Sequence, residues 1–242
     1  MIQVRQPDLS GILNGIDLEI WDPASDPEIK PFKAPAGKAA NKAALQQEFD
    51  LPIAKGPLCI VVSRLTEQKG LDLLLEALPT LLKAGGQLAL LGSGDSALET
   101  AFEALAAEQP DVGVRIGYDE ALSHRMFAGA DAVLVPSRFE PCGLTQMYGL
   151  RYGAVPVVAR VGGLADTVIN ANDAALKAGV ATGLQVSPVS ASALSLAFTR
   201  LLELYNTPKT WARVQRNGMK HPVGWDSSAQ DYAALYEQLV AR

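Results

Sequence analysis

The chain has 242 residues, of which 48% are hydrophobic and 19% charged, a composition typical of globular proteins that bury a sizeable core. Its formal net charge of -5 argues against a nucleic-acid partner, because nucleic-acid-binding surfaces are usually basic. No run approaches the roughly 20 apolar residues of a membrane helix, and the first residues lack the apolar segment of a signal peptide, so we expect no membrane partner.

The first 50 residues differ from the rest of the chain. The segment WDPASDPEIKPFKAPAGKAANK is rich in Pro, Ala, Asp and Lys and has no sustained apolar period. Such a pattern predicts a surface connection. A short helix within AANKAALQQEFDL closes this segment.

Apolar, β-branched runs then alternate with helical patterns. We predict six strands, within PLCIVVSR, GQLALLG, VGVRIGY, DAVLVP, VPVVAR and GLQV. Helices are predicted within LDLLLEALPTLLKAG and SALETAFEALAAEQ, the second of which has Leu98, Phe102 and Leu105 on one face. Strands that are apolar on both faces and alternate with helices indicate a parallel sheet covered on two sides. The predicted fold is therefore α/β, a Rossmann-like doubly wound parallel sheet.

After the GLQV strand, the last segments of the chain predict three helices and no further strand, within SALSLAFTRLLELYN, PKTWARVQRNG and SSAQDYAALYEQLVAR. The final helix carries an apolar face at helical spacing, formed by Tyr232, Leu235, Tyr236 and Leu239. Two interpretations stay open: the face covers the core of this domain, or it is exposed and packs on another lobe.

Only two cysteines occur, Cys59 and Cys142, and they form no CxxC pair. We therefore expect neither a disulfide framework nor a zinc cluster, and a reducing, cytoplasmic location fits best.

Ligands of doubly wound sheets bind beyond the carboxyl ends of the strands, so the residues after each strand are the candidates for a site. The first strand is followed by SRLTEQKG, which brings Arg64 and Lys69 near a helix N-terminus. Cations and free N–H groups both favour negative charge, which indicates an anion site. The alternative is a solvated loop with an ordinary basic pair.

The second strand is followed by GSGDSA, which formally matches the dinucleotide motif G-x-G-x-x-G/A. That motif should open the first strand–helix unit and carry an acid about 20 positions on, whereas here it lies in the second unit and Asp119 comes late. We instead expect Gly92 and Gly94 to form a tight turn that lets a ligand or the backbone pass closely. Tyr118, after the third strand, either stacks on a base or caps the core.

The fourth strand is followed by SRFEPCGLTQMYGLRYG. Pro141 suits a first helical turn, and Gly143 permits close backbone approach. Leu144 and Thr145 would present unpaired N–H groups to a negative ligand at the helix start. Glu140 would be unfavourable beside an anion unless it acts elsewhere, for instance on a sugar hydroxyl. The fifth strand is followed by VGGLADTV, which predicts a flexible glycine pair before another helix.

These segments together resemble bacterial glycogen synthase and plant starch synthase. The resemblance rests on SGILNGIDLEIWDP, SRLTEQKGLDLL, GSGD, IGYDEALSHRMFAGADAVLVPSRFEPCGLTQMYGLRYGAVPVVARVGGLADTV and TGLQV, and extends from about Ser10 to the end. These enzymes are retaining glucosyltransferases of family 5 with the two-lobed GT-B architecture. The resemblance implies a carboxy-terminal lobe: residues 1–50 as interlobe connection and linker helix, 51–225 as nucleotide-sugar-binding domain, and 226–242 as a helix that packs back toward the amino-terminal lobe.

The resemblance also implies roles for individual residues. Catalytic roles fall to Glu140, which lies beside the donor glucose, and to Arg64 and Lys69, which neutralise the diphosphate of ADP-glucose as ADP departs. Tyr118 is implied to stack on adenine. Further donor contacts are implied for Cys142, Gly143, Leu144, Thr145, Gly162 and Gly163. Many retaining GT-B enzymes carry a second glutamate eight positions after the first, but Tyr148 stands there, as it does in glycogen synthases.

The implied reaction transfers glucose from ADP-glucose to the 4-hydroxyl at the non-reducing end of an α-1,4-glucan, with retention and with neither a metal nor another cofactor. The Lys-Thr-Gly-Gly-Leu motif and the catalytic histidine of the family's amino-terminal lobe are not in this sequence, and we expect structural or solvent roles for His124 and His221. We therefore expect a donor-binding fragment that needs the other lobe for activity. The alternative is a stand-alone nucleotide-sugar-binding module. An NAD-type oxidoreductase is disfavoured because GSGDSA lies in the wrong unit.

Overall fold

A computed structural model describes residues 9–241 of the chain. Its centre is a six-stranded sheet in the order β3-β2-β1-β4-β5-β6, in which every neighbouring pair is parallel. The strands are β1 (Leu58–Val62), β2 (Gln87–Gly92), β3 (Val112–Ile116), β4 (Ala132–Val135), β5 (Val155–Ala159) and β6 (Leu184–Val186). The six predicted strands and the doubly wound parallel sheet are confirmed.

Helices cover both faces of this sheet. They are α1 (Ala39–Glu48), α2 (Leu71–Lys83), α3 (Ser96–Glu108), α4 (Glu120–Gly129), α5 (Thr145–Arg151), α6 (Gly162–Thr167), α7 (Asp173–Ala178), α8 (Ala191–Tyr205), α9 (Pro208–Lys220) and α10 (Trp225–Val240). Successive residues of a strand enter opposite hydrophobic clusters: Ile60 packs with α1, α4 and α5, and Val61 with α2, α3 and α8. Burial on both faces explains why the strands have no polar alternation.

The leading segment is not the surface connection that its composition predicts. Trp21 and Phe32 are buried in the cluster formed with α4 and α5. Lys38 is also buried, and its ammonium donates to the carbonyls of Phe127, Ala128 and Tyr152 at 2.7–3.0 Å. The prediction was wrong because these anchors are few and irregularly spaced, so they leave no apolar period. The division of the chain near residues 50 and 225 stays a prediction.

The three predicted tail helices are confirmed as α8, α9 and α10. The apolar side of α10 does not cover the core: Tyr232, Tyr236, Leu239 and Val240 are 37–88% exposed. The face is therefore exposed, and its packing on another lobe stays a prediction.

The leading segment and the loop before α10 lie side by side. The Ile16 amide donates to the Val223 carbonyl at 2.8 Å, and Ile16 pairs with Gly224 as an isolated parallel bridge. A Cβ atom on Gly15 would lie 2.5 Å from the Gly224 backbone, so the two segments touch at this point.

Candidate active site

A pocket of about 460 Å³ opens at the carboxyl ends of β1, β2 and β3. Its wall includes three of the predicted site residues, Arg64, Tyr118 and Thr145. The rest of the wall includes Trp21, Phe127 and Tyr148. The position agrees with the rule that ligands of such sheets bind where the strand order reverses, here between β1 and β4.

Lys69 and Glu140 are not part of the pocket wall, but they form an ion pair between the loops that follow β1 and β4. The Lys69 Nζ lies 2.5 Å from the Glu140 Oε2, and the two side chains are 19% and 10% exposed. The Ser137 hydroxyl lies 3.3 Å from the same carboxylate oxygen. The loops meet because β1 and β4 are neighbours in the sheet. Lys69 is therefore not a cation of a solvated loop, whereas Arg64 is exposed at the pocket wall.

The turn after Glu140 is held from the inside by Gln146. Its side-chain amide donates to the carbonyls of Cys142 and Gly143 and to the Thr167 hydroxyl, at 2.9–3.1 Å. Gly143 has φ +76°, a left-handed conformation that glycine adopts without strain.

Because of this turn, the following helix begins later in the chain than the sequence predicts. The expected first helical turn at Pro141 is wrong, because the left-handed Gly143 interrupts the helical path and α5 begins only at Thr145. Among the described residues, the amides of Leu144 and Thr145 donate to no protein acceptor. Both N–H groups are thus available to a ligand.

Gly162 and Gly163 are the first residues of α6 and pack against the Glu140 turn. A Cβ atom on Gly162 would lie 2.2 Å from the Glu140 carbonyl oxygen, and one on Gly163 would lie 2.5 Å from the Cys142 Cα. The Gly163 amide donates to the Glu140 carbonyl at 3.1 Å. The expected flexible pair before a helix is wrong: these glycines lie within the helix and let it support the turn.

Gly92 and Gly94 let backbone pass closely. Cβ atoms on them would lie 1.9 Å from the Ser63 carbonyl oxygen and 2.4 Å from that of Leu65. The Leu65 amide donates to Ser93, and the Asp95 amide to Leu65, at 2.9 and 2.7 Å. Of the two possibilities that the sequence left open, a ligand or the backbone, the backbone of the β1–α2 loop occupies this place.

Tyr118 does not cap the core. Its side chain is 84% exposed, and its hydroxyl donates to the Glu120 carboxylate at 3.0 Å, a contact that raises the pKa of Tyr118. The ring therefore stands at the pocket mouth with a face open for stacking.

Trp21, Phe127 and Tyr148 form the part of the wall that the sequence reasoning missed as binding residues. For Tyr148 a signal existed, because it follows Thr145 by three residues and so shares a face of α5. Trp21 gave no such signal, since it lies in a segment without periodicity.

The two histidines are not in the pocket wall. His124 is buried and bonded to Asp26, in agreement with a structural role. His221 is half-buried, which lowers its pKa. Within residues 9–241 no three His, Cys, Asp or Glu side chains come together as a metal site, and none of the helices described there is long and apolar enough to cross a bilayer.

The family model of the group 1 glycosyl transferases matches residues 45–218, which include every residue of the site except the leading segment. The chain belongs to the group 1 glycosyl transferases. Among curated members, it is 62% identical over 98% of its length to a glycogen synthase of Paracoccus denitrificans and 60% identical over 98% to one of Jannaschia. It covers 49% and 50% of those relatives, so it spans about half their length.

A solved glycosyl transferase structure matches the whole chain. The catalytic domain of starch synthase IV from Arabidopsis thaliana, bound to ADP and acarbose, superposes with a TM-score of 0.92 at 35% identity. The match covers all of this chain and 51% of the plant domain. The fold of the chain is that of the carboxy-terminal lobe of a GT-B glycosyltransferase.

Proposed function

We propose that the chain is the donor-binding lobe of a glycogen synthase, which transfers glucose from ADP-glucose to the 4-hydroxyl at the non-reducing end of an α-1,4-glucan with retention. The observation that carries this proposal is the ion pair of Lys69 and Glu140, set beside a pocket lined by Arg64 and Tyr118. The glycogen synthase relatives and the ADP-bound starch synthase support the choice of donor.

Charged side chains and uncharged backbone amides both contact the diphosphate in this proposal. Arg64 and Lys69 neutralise the diphosphate and stabilise it as ADP leaves, since charge-assisted hydrogen bonds to phosphate are among the stronger polar contacts. The open amides of Leu144 and Thr145 add uncharged donors for the same oxygens. With these groups present, the leaving-group charge needs no metal or other cofactor.

Two further contacts orient the donor. Tyr118 offers its exposed ring to adenine. Glu140 lies beside the glucose, where its carboxylate accepts from sugar hydroxyls while Lys69 balances its charge. Cys142, Gly143, Gly162 and Gly163 shape and support the turn that carries Glu140.

We propose that catalysis also requires an amino-terminal lobe. The acceptor must be held against the donor, and closure of two lobes supplies that orientation and excludes water. The chain by itself would then bind ADP without elongating a glucan, which is the alternative function of a nucleotide-sugar-binding module.

The test is isothermal titration calorimetry with ADP, together with an elongation assay that uses ADP-glucose and a maltooligosaccharide. We expect weak ADP binding, with a Kd roughly between 1 μM and 1 mM, and no elongation by the purified chain. UDP should bind more weakly than ADP. Sustained elongation by the chain alone would contradict the requirement for a second lobe, and absence of ADP binding would contradict the proposed function.

A further inference from the structure

Trp21 lies in the leading segment, far in sequence from the strand ends, and yet it forms part of the pocket wall. Its indole is sandwiched between His124 and Tyr148. Both ring centroids lie 3.8 Å from it, with interplanar angles of 13° and 26°. Phe127 meets the indole edge-on at 5.8 Å. A ring fixed on three sides in this way has one orientation toward the pocket.

A buried polar cluster holds the segment that carries this ring. The Asp26 carboxyl is 2% exposed and accepts from the His124 Nδ1 at 2.7 Å and from the Tyr152 hydroxyl at 2.5 Å. A carboxyl group so removed from water is stable only with such partners. His124 is thus bonded to Asp26 at the ring edge and stacked on Trp21 at the ring face.

A second anchor acts from α5. The Arg151 Nε donates to the Trp21 carbonyl at 3.1 Å, and its guanidinium contacts the Asp22 carboxylate at 2.9 Å. The leading segment is therefore tied to α4 through His124 and to α5 through Arg151. These are the two helices that carry the Phe127 and Tyr148 parts of the wall.

We infer that Trp21 is a further nucleotide-binding residue of the pocket and that Asp26, His124 and Tyr152 are positioning residues that hold its ring against Tyr148. The inference rests on the proposed function, because the occupant is the nucleoside part of ADP. The inference also implies that ADP binding and docking of the leading segment are coupled. If the segment undocks, the pocket loses one wall. Bound ADP therefore stabilises the docked segment by the same free energy that docking contributes to ADP binding.

The chain has three tryptophans, which allows a direct test. A Trp211→Phe/Trp225→Phe protein retains Trp21 as its only tryptophan, and both replaced residues lie outside the pocket wall. We expect ADP to change the Trp21 emission along a saturating curve with the Kd measured by calorimetry.

The positioning residues are tested in that single-tryptophan protein. Asp26→Ala should shift the Trp21 emission to longer wavelength and weaken ADP binding about tenfold, as expected for loss of an ordered aromatic contact. Asp26→Asn retains one acceptor oxygen, so its Trp21 emission and its ADP affinity should lie between those of Asp26→Ala and of the parent. If Asp26→Ala does not fold, Tyr152→Phe replaces it: this variant removes only the hydroxyl that donates to Asp26, and its Trp21 emission and ADP affinity are compared with those of the parent. The exposed acid in Asp231→Ala is the matched control and should leave both readouts unchanged.

The outcomes separate the two proposals. No ADP binding by the parent protein would overturn both. ADP binding with unchanged Trp21 emission, or folded Asp26 and Tyr152 variants with unchanged emission and affinity, would overturn this inference alone.

Discussion

Lys69 and Glu140 are 71 positions apart in the chain and in direct contact in the fold. Without a ligand, each neutralises the other, so a largely buried cation is held ready beside the pocket at a reduced desolvation cost. An incoming diphosphate must share Lys69 with Glu140. This competition gives opposite expectations for the two halves of the pair.

Removing a cation should weaken nucleotide binding. We expect Lys69→Ala and Arg64→Ala each to reduce ADP affinity about tenfold or more in calorimetry, because each removes a charge-assisted contact to phosphate. Lys83→Ala is the matched control, since Lys83 ends the helix that Lys69 precedes, about 20 Å away along α2. An unchanged affinity would remove the substituted residue from the phosphate site.

Neutralising the carboxylate should have the reverse effect on binding. We expect Glu140→Gln to strengthen ADP binding a few-fold, because the diphosphate no longer competes with a carboxylate for Lys69. The control is Glu67→Gln, because Glu67 lies in the loop of Lys69 but not in the ion pair; this variant should leave ADP affinity unchanged. Weaker ADP binding by Glu140→Gln would show that the carboxylate serves the diphosphate site.

At the scale of elements, Lys38 joins the leading segment to two helices. Its ammonium meets carbonyls at the end of α4 and just beyond the end of α5, where unpaired carbonyls and the helix dipole favour a cation. Burial lowers the pKa of Lys38 to about 7, against 10.5 for an unperturbed lysine. The three carbonyl bonds offset part of the cost of burying this charge.

Replacing this residue should change both stability and its pH dependence. We expect Lys38→Met to lower the free energy of unfolding by about 1–3 kcal/mol, because three buried carbonyls lose their donor. Between pH 7 and 10.5 the unfolded chain binds more protons at Lys38 than the folded one, so the Lys38 contribution to stability rises with pH in this window. The gap between parent and Lys38→Met should therefore widen as pH increases.

Urea unfolding at several pH values measures this gap. Lys33→Met, at an exposed lysine of the same segment, is the control and should match the parent throughout. A gap that narrows from pH 7 to pH 10 would contradict the assignment.

The strands were predictable because residues such as Ile60 and Val61 are apolar toward opposite faces, which leaves a signal in every strand. The strand ends were predictable as a site because parallel strands share one edge. The start of α5 could not be predicted, because it depends on the left-handed backbone of Gly143 and not on the preference of Pro141 for a first helical turn. The roles of Trp21 and Asp26 could not be predicted from the sequence. Their partners, His124 and Tyr152, are distant in sequence and make single, specific contacts that leave no repeating pattern.

At the scale of the molecule, α10 leaves an apolar stripe exposed. Its aromatic and aliphatic residues lie at helical spacing with little of the domain beneath them. In the proposed two-lobed enzyme, we expect this stripe to pack toward the amino-terminal lobe. In the chain alone it is available for self-association.

We expect sedimentation velocity to show association that increases with protein concentration. Tyr236→Lys or Leu239→Lys should reduce it, because a charge on the stripe disfavours burial. Gln238→Lys adds the same charge away from Tyr236 on the helix and is the control. Equal association of all three variants would place the contact elsewhere.

The pairing of Ile16 with Gly224 has a practical consequence. Between these two residues in the chain lie the whole sheet, the pocket and the Trp21 stack, and the two backbone segments that bound this unit lie side by side. A unit of this kind can be spliced into a surface loop of an unrelated carrier protein without pulling the carrier apart. Residues 15–224 thus form a cassette in which Trp21, once Trp211 is replaced by Phe, would report the arrival of a nucleotide.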